Sequence, residues 1–241
     1  MSNLLAAQTF RALKFSAIRS WGVDCLLCVG PSARSLVCEE CDRALPVLEI
    51  ACARCAVPLG SAGTCGECQR HEPAFDEAVA AFEYRFPVDR LIHRFKYSGD
   101  LAVGRWLALR LAERAASHDP PDLLVAPPLT DSRLRARGFN QAVVIARHVG
   151  RRLRVRHSLT AFAKVRDTSP QPGLGRRQRL ANLREAFRCE LRLSGEHVAI
   201  VDDVMTTGAS AHTLAKLLKA DGASRVSVWA VARTPDPSRK A

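Results

Sequence analysis

Apolar positions along the chain settle into two alternating periods from about residue 75 onward. Residues 75–86 read as one or two short strands, and 88–97 and 101–117 as helices, the first with Leu91, Ile92 and Phe95 on one face. The run DLLVA at 122–126 reads as a short buried strand. It stops at Pro127 and Pro128, which have no N–H to continue a ladder. A helix is predicted over 139–153, and a strand over 155–165 in which Leu159, Ala161 and Ala163 alternate. HVAIV, ending at Val201, reads as a central strand, followed by a helix over 209–220 and a last strand RVSVWAVA. Strands alternating with helices predict an α/β domain whose mostly parallel sheet is covered on both faces. Ligands of such sheets gather at the carboxyl ends of the strands.

The first 24 residues follow another pattern. Leu4, Leu5, Phe10, Leu13, Phe15 and Ile18 are interrupted by Arg11, Lys14 and Arg19. The charges break any signal-peptide core, so the segment reads as an amphipathic helix docked on the protein, the alternative being a helix lying on an anionic membrane surface. No apolar run approaches the roughly 18 to 20 residues of a bilayer span. These features predict a chain that stays in a reducing cytoplasm. A length of 241 residues, with 47% hydrophobic and 25% charged, suits one α/β domain with a small appendage and excludes a disordered chain or a membrane bundle. The expected divisions are 1–24, 25–72 and 73–241.

Residues 25–72 are defined by thiols. Cys25 and Cys28, Cys38 and Cys41, Cys52 and Cys55, and Cys65 and Cys68 form four Cys-x-x-Cys pairs, the last four cysteines repeating the first four at an offset of 27 residues. Two sulfurs on one tight turn can face a single metal, and four thiolates close a tetrahedral structural zinc site with no position left for substrate. Two structural zinc ions are expected. The simplest assignment is sequential, first four and last four; an interleaved pairing stays open. With little apolar sequence of its own, this module would rely on metal binding for its folding. Cys189 lacks a partner and reads as a half-buried strand residue.

The run VAIVDDVMTTGAS joins a buried strand, two acids and a small-residue loop that opens a helix. Backbone N–H groups over 206–210 and the positive end of the helix suit a phosphate dianion. Hydroxyls of Thr206, Thr207 and Ser210 add donors, Ala209 is small, and Gly208 allows close approach. Asp202 and Asp203 would accept bonds from the 2- and 3-hydroxyls of a sugar.

This run resembles the motif that binds phosphoribosyl pyrophosphate (PRPP) in type I phosphoribosyltransferases. The wider chain, over 25–233, is similar to the competence-associated ComF family in its cysteine pairs and in LIHRFKYSGD (91–100), APPLTDSRLRARGFNQA (126–142) and TSPQPGLGRRQRLANLREAF (168–187). The resemblance implies a type I phosphoribosyltransferase fold behind a double zinc module. It implies that Arg133 and Arg137 face the pyrophosphate, where planar guanidinium forks bind oxygens in pairs; Arg135 reads instead as a helix coat. It also implies a closing loop over 164–179, with Lys164 and Arg166 as catalytic candidates. Mg2+ would be held largely through the oxygens of PRPP and water. Pentosyl transfer to a nitrogen nucleophile, a glycosyltransferase reaction, is one implied activity. Enzymes salvaging 6-oxopurines place an acid where Thr206 stands, so hypoxanthine or guanine is not the expected acceptor.

Charge adds a second direction. The chain has 36 Lys and Arg against 24 Asp and Glu, a formal net charge of +12, which favours polyanionic partners. Between Arg133 and Arg184 the single acid is Asp167. Arg151, Arg152, Arg154 and Arg156 are therefore candidates for contacts to single-stranded DNA. Phe82, Tyr84, Phe139 and Phe162 are stacking candidates, each reading first as core. With the ComF resemblance, this implies a role in DNA uptake, beside uptake machinery at the inner membrane. Three readings stand: a PRPP-binding protein of DNA uptake, an active phosphoribosyltransferase with an unnamed acceptor, and a zinc-organised scaffold with a vestigial pocket.

Overall fold

The computed structural model describes residues 23–32, 35–164 and 187–235. The amphipathic segment lies almost wholly outside them, and its last two expected positions instead form strand β1 (Val23–Asp24), which pairs antiparallel with β2 (Pro31–Ser32). Two five-residue helices follow, α1 (Glu39–Arg43) and α2 (Gly66–Arg70).

The body of the molecule is a five-stranded, wholly parallel sheet in the order β3 (Glu77–Glu83), β9 (Arg225–Arg233), β8 (His197–Met205), β4 (Leu123–Val125), β5 (Arg156–Ser158). Period-two alternation sends Ala199, Val201, Trp229 and Val231 to one face and Val198, Ile200, Val228 and Ala230 to the other. The first face is covered by α3 (Val88–Ser98), α4 (Leu101–Ala115) and α6 (Gln141–Leu153). Helix α3 buries Val88, Leu91, Ile92 and Phe95, the 1-4-5-8 spacing of one helical stripe. Gly104 lets α4 pack tightly on it, since a Cβ there would stand 2.3 Å from the Phe95 ring. The second face is covered by α7 (Ala209–Ala220), through Leu214, Ala215 and Leu218.

One expectation is corrected. The span 155–165 is not one strand: β5 joins the main sheet, while β6 (Phe162–Lys164) turns off to pair antiparallel with β7 (Phe187–Cys189). After β4, Asp131–Arg137 forms helix α5, which the apolar pattern did not predict, with Thr130 Oγ1 accepting from the Arg133 N–H as its cap. Residues 75–86 hold one strand. Cys189 lies buried in β7.

The chain runs from β4 outward to β5 through α6, then from β8 the opposite way to β9 through α7. The direction of winding therefore reverses between β4 and β8, the place where such sheets open a crevice.

Candidate functional site

The eight paired thiols form two groups, sequential as the simplest reading has it: Cys25, Cys28, Cys38 and Cys41, and Cys52, Cys55, Cys65 and Cys68. Within each group the sulfurs all lie within 4.8 Å of one another. Cys28 and Cys38 Sγ stand 3.7 Å apart, as do Cys55 and Cys65 Sγ. A tetrahedron with metal–sulfur bonds of about 2.3 Å has edges of about 3.8 Å, so either group could hold a structural zinc. The backbone repeats with the sequence. Val29 and Ala56, 27 residues apart, both take a left-handed φ, at 60° and 53°, and their N–H groups donate to Cys25 O and Cys52 O at 2.9 Å each. Burial would raise the thiol of Cys25, but N–H donors at Cys28, Cys38 and Leu27 outweigh it and bring the thiol down to about 6. The equivalent donors at Cys65, Cys55 and Arg54 bring Cys52 down to about 7. Each group thus has one thiolate prepared by the backbone, and thiolate is the form that binds metal.

At the crevice between β4 and β8 lies a cavity of about 400 Å³. Its walls come from the segment after β4 (Pro127 to Thr130), α5, the start of α6, and β8 with the loop that follows. Strand β8 runs on through both acids to Met205, so Asp202 and Asp203 are strand residues that point to opposite faces. Asp203 is buried and receives a 2.9 Å bond from Lys96 Nζ of α3. Asp202 Oδ1 accepts the Asp203 N–H at 2.8 Å. Burial, then the neighbouring Asp203 charge, push the Asp202 carboxyl up to about 7. Thr206 and Ser210 line the cavity. Thr207, Gly208 and Ala209 are not among its walls; they make the turn that presents the two, with Gly208 at φ 74° capping α7. Only glycine takes that conformation readily, and a Cβ would also meet Met205 Cε at 2.9 Å.

Arg133 and Arg137 both line the cavity, on α5. Arg137 Nη1 donates to Gln141 Oε1 at 2.9 Å, and its guanidinium lies 5.3 Å from the Tyr97 ring centroid, so the fork is held in place. Arg135 is not among the lining residues. Sequence reading gave no role to Lys96, Asn140 or Phe187, which also line the cavity, as does the stacking candidate Tyr84. Lys96 stands inside the segment LIHRFKYSGD, so the resemblance held the signal but not the pairing with Asp203.

Other candidates lie elsewhere. Lys164 ends β6, and Arg166 with the rest of 165–179 falls outside the described residues. Arg151, Arg152 and Arg154 are exposed at the far end of α6, and Arg156 opens the edge strand β5. At a rise of about 1.5 Å per residue, Arg151 is about 15 Å along the helix from the cavity wall at Gln141. Phe82 and Phe162 are buried, Phe139 packs on Phe95 at 5.4 Å, and Tyr84 walls the cavity, so three of the four stacking candidates are core.

No protein-family profile matches the chain. Individual relatives do. The chain is 38% identical over 162 residues to DNA utilization protein YhgH of Escherichia coli, covering 65% of this chain and 71% of that protein. It is 31% identical over 169 residues to Competence protein F of Haemophilus influenzae, covering 66% and 74%. The chain belongs to the ComF family. A more distant relative of this ComF-family chain, Competence protein ComFC of Streptococcus pneumoniae, is 25% identical over 64% of the chain and 67% of its own length. Among solved structures, purine phosphoribosyltransferase from Pyrococcus horikoshii overlays at a TM-score of 0.32 with 18% identity, over 65% of this chain and 78% of that one. Overlap that loose adds nothing to the strand order. The fold of this ComF-family chain is a parallel sheet with helices on both faces and two four-cysteine groups ahead of it. Among the described residues no helix is long and apolar enough to cross a membrane.

Proposed function

We propose that this ComF-family chain binds PRPP with Mg2+ in the cavity between β4 and β8 and acts in the uptake or use of DNA. One arrangement carries the reading. A single cavity brings three cationic side chains, Lys96, Arg133 and Arg137, together with the strand acids Asp202 and Asp203 and the hydroxyl loop at Thr206 and Ser210. Cations suit the pyrophosphate, the loop and the start of α7 suit the 5-phosphate, and the acids suit the ribose hydroxyls. The donor set also bears on the metal. Among the described residues only cysteines form a cluster of three or more metal-ligating groups, and Asp203 is already bonded to Lys96. That fits Mg2+ brought in on the ligand's own oxygens, where it would neutralise the pyrophosphate, rather than a resident ion. The DNA half of the reading is supported by the names of the relatives, a DNA utilization protein and a competence protein, and by the exposed arginines at the end of α6 and on β5.

Titration calorimetry with Mg-PRPP tests the first half. Binding by the native chain, lost in Asp202→Asn with Asp203→Asn while the fold persists, is expected. Equal binding by the double variant would place the ligand elsewhere.

A second reading, pentosyl transfer to an acceptor, is favoured by the aromatic walls Tyr84 and Phe187, which a ribose phosphate does not use. In that chemistry the anomeric carbon loses pyrophosphate and gains a bond to the nucleophile. Lys96, Arg133 and Arg137 would neutralise the departing charge while the acids hold the ribose. Release of pyrophosphate that depends on an added nucleobase or other nitrogen nucleophile would separate this reading from binding alone.

A further inference from the structure

We propose that Arg233 is a positioning residue that ties the second cysteine group to the loop at Thr206, so that metal in that group and an anion in the cavity favour each other's binding. The first cysteine group stands outside this coupling. The ligand half of the proposal rests on the PRPP reading above; the loop half does not.

Arg233 ends β9 and is buried at 6% exposure. A buried guanidinium ordinarily finds a carboxylate. Arg233 instead bonds backbone carbonyls from two parts of the molecule. Nε donates to Cys55 O at 2.8 Å, inside the second cysteine group. Nη1 donates to Met205 O at 3.1 Å, to Thr206 O and to Thr234 O. Met205 and Thr206 carry the chain from strand β8 into the hydroxyl loop, and Thr206 lines the cavity. One side chain thus spans the thiol cluster and the loop.

Two physical consequences follow. In a planar trans peptide the N–H points away from the C=O. Drawing the Met205 and Thr206 carbonyls toward the guanidinium therefore turns the N–H groups of Thr206 and Thr207 away from it, leaving them available to an anion. The second consequence concerns charge. Four thiolates around a divalent zinc carry a net charge of two minus, the counter-charge that the guanidinium lacks among the described residues. Metal loss would release the sulfurs that hold the turn at Cys55 and free its carbonyl from the guanidinium, loosening the loop. By linkage, an anion that needs the ordered loop must favour metal retention by the same factor. The first group has no counterpart, because Cys28, at the position equivalent to Cys55, is exposed.

The test uses the full native chain loaded with zinc. A chromophoric chelator removes the metal while thiol alkylation, read by mass spectrometry, reports which cysteines are freed, and amide exchange of 203–212 is followed in the same samples. Exchange of that segment is expected to rise about tenfold in step with alkylation of Cys52, Cys55, Cys65 and Cys68, and to ignore the earlier release of the first group. A rise that tracks the first group, or no rise after the second is stripped, overturns the proposal. Arg233→Met, with zinc content checked, is expected to raise the same exchange while the metal is still bound, and Arg233→Lys to raise it less. Unchanged exchange in zinc-loaded Arg233→Met overturns the proposal as well. Adding Mg-PRPP should then slow release from the second group about fivefold or more in the native chain and not in Arg233→Met. If PRPP binds and slows both groups equally, the coupling is wrong. If PRPP does not bind at all, the ligand reading falls while the ligand-free exchange result decides the role of Arg233.

Discussion

The two cysteine groups share a backbone and differ in their surroundings. Residues equivalent at the 27-residue offset repeat the turns, the left-handed residue, the Sγ separations and the N–H donors to the first thiolate. Yet the first group has Cys28 exposed and Cys38 and Cys41 half-buried, whereas all four cysteines of the second are buried. The first rests on α4, through an Asp42–Arg110 ion pair at 3.3 Å and the neighbouring Trp106. The second is built into the core beneath β8, β9 and α7, with Phe75 and Met205. Between them, residues 46–48 pair with β3, where Leu48 N donates to Ala81 O and Glu83 N to Pro46 O. The module thereby covers an edge that would otherwise offer unpaired backbone to another chain. Identical local chemistry becomes an outlying clip in one copy and part of the site's foundation in the other.

The largest effect expected from this contrast is on stability. Cys68→Ser should cost on the order of 5 kcal/mol or more, because it removes a zinc ligand inside the core. Cys41→Ser should cost on the order of 1–2 kcal/mol. Denaturant unfolding of each variant with metal analysis checks this, and equal losses would erase the distinction.

Next comes the ligand. At one hundred times its dissociation constant Mg-PRPP should stabilise the chain by about 2.7 kcal/mol, and the gain should survive Cys41→Ser. A thermal shift that vanishes in Cys41→Ser would show that the outlying group also supports the cavity.

A smaller effect belongs to Asp202, whose folded-state value of about 7 lies above its ordinary 3.8. A raised carboxyl costs nothing below its unfolded value; the cost grows as pH rises from about 4 to about 7 and persists above. Asp202→Asn should therefore raise the Tm of the ligand-free chain at pH 8 and leave it nearly unchanged near pH 4, while weakening PRPP binding. A gain that is equal at both pH values would remove the titration argument.

The smallest effect lies far from both groups. Charge reversal at Arg151, Arg152, Arg154 and Arg156 should weaken single-stranded DNA binding without changing zinc release or PRPP affinity. If four phosphates are contacted, log affinity should fall against log salt with a slope of about −3. Competition between DNA and PRPP would mean that the two surfaces meet, contrary to their separation along α6.

Legibility followed the range of the interactions. Helices α3, α4, α6 and α7 could be read within a residue or two because each carries its apolar stripe in its own sequence. The span 155–165 could not, since alternation gives a period and not a partner, and β5 and β6 pair with strands on different sheets. Helix α5 was hidden because none of its residues is buried, leaving no stripe to detect. At the cavity, the acids and the hydroxyl loop were visible as one contiguous run. Lys96, more than a hundred positions upstream of Asp203, was visible only as part of a resemblance.

By itself the sequence determined which thiols come in Cys-x-x-Cys pairs and where two acids adjoin a hydroxyl loop, because both depend on groups a few residues apart in the chain. Only the tertiary structure decided that one thiol group is core and the other rim, that Lys96 meets Asp203, and that Arg233 spans Cys55 and Thr206. Those pairings join segments distant in the chain. Their specificity comes from packing and from the cost of leaving buried polar groups unpaired, neither of which a local pattern records.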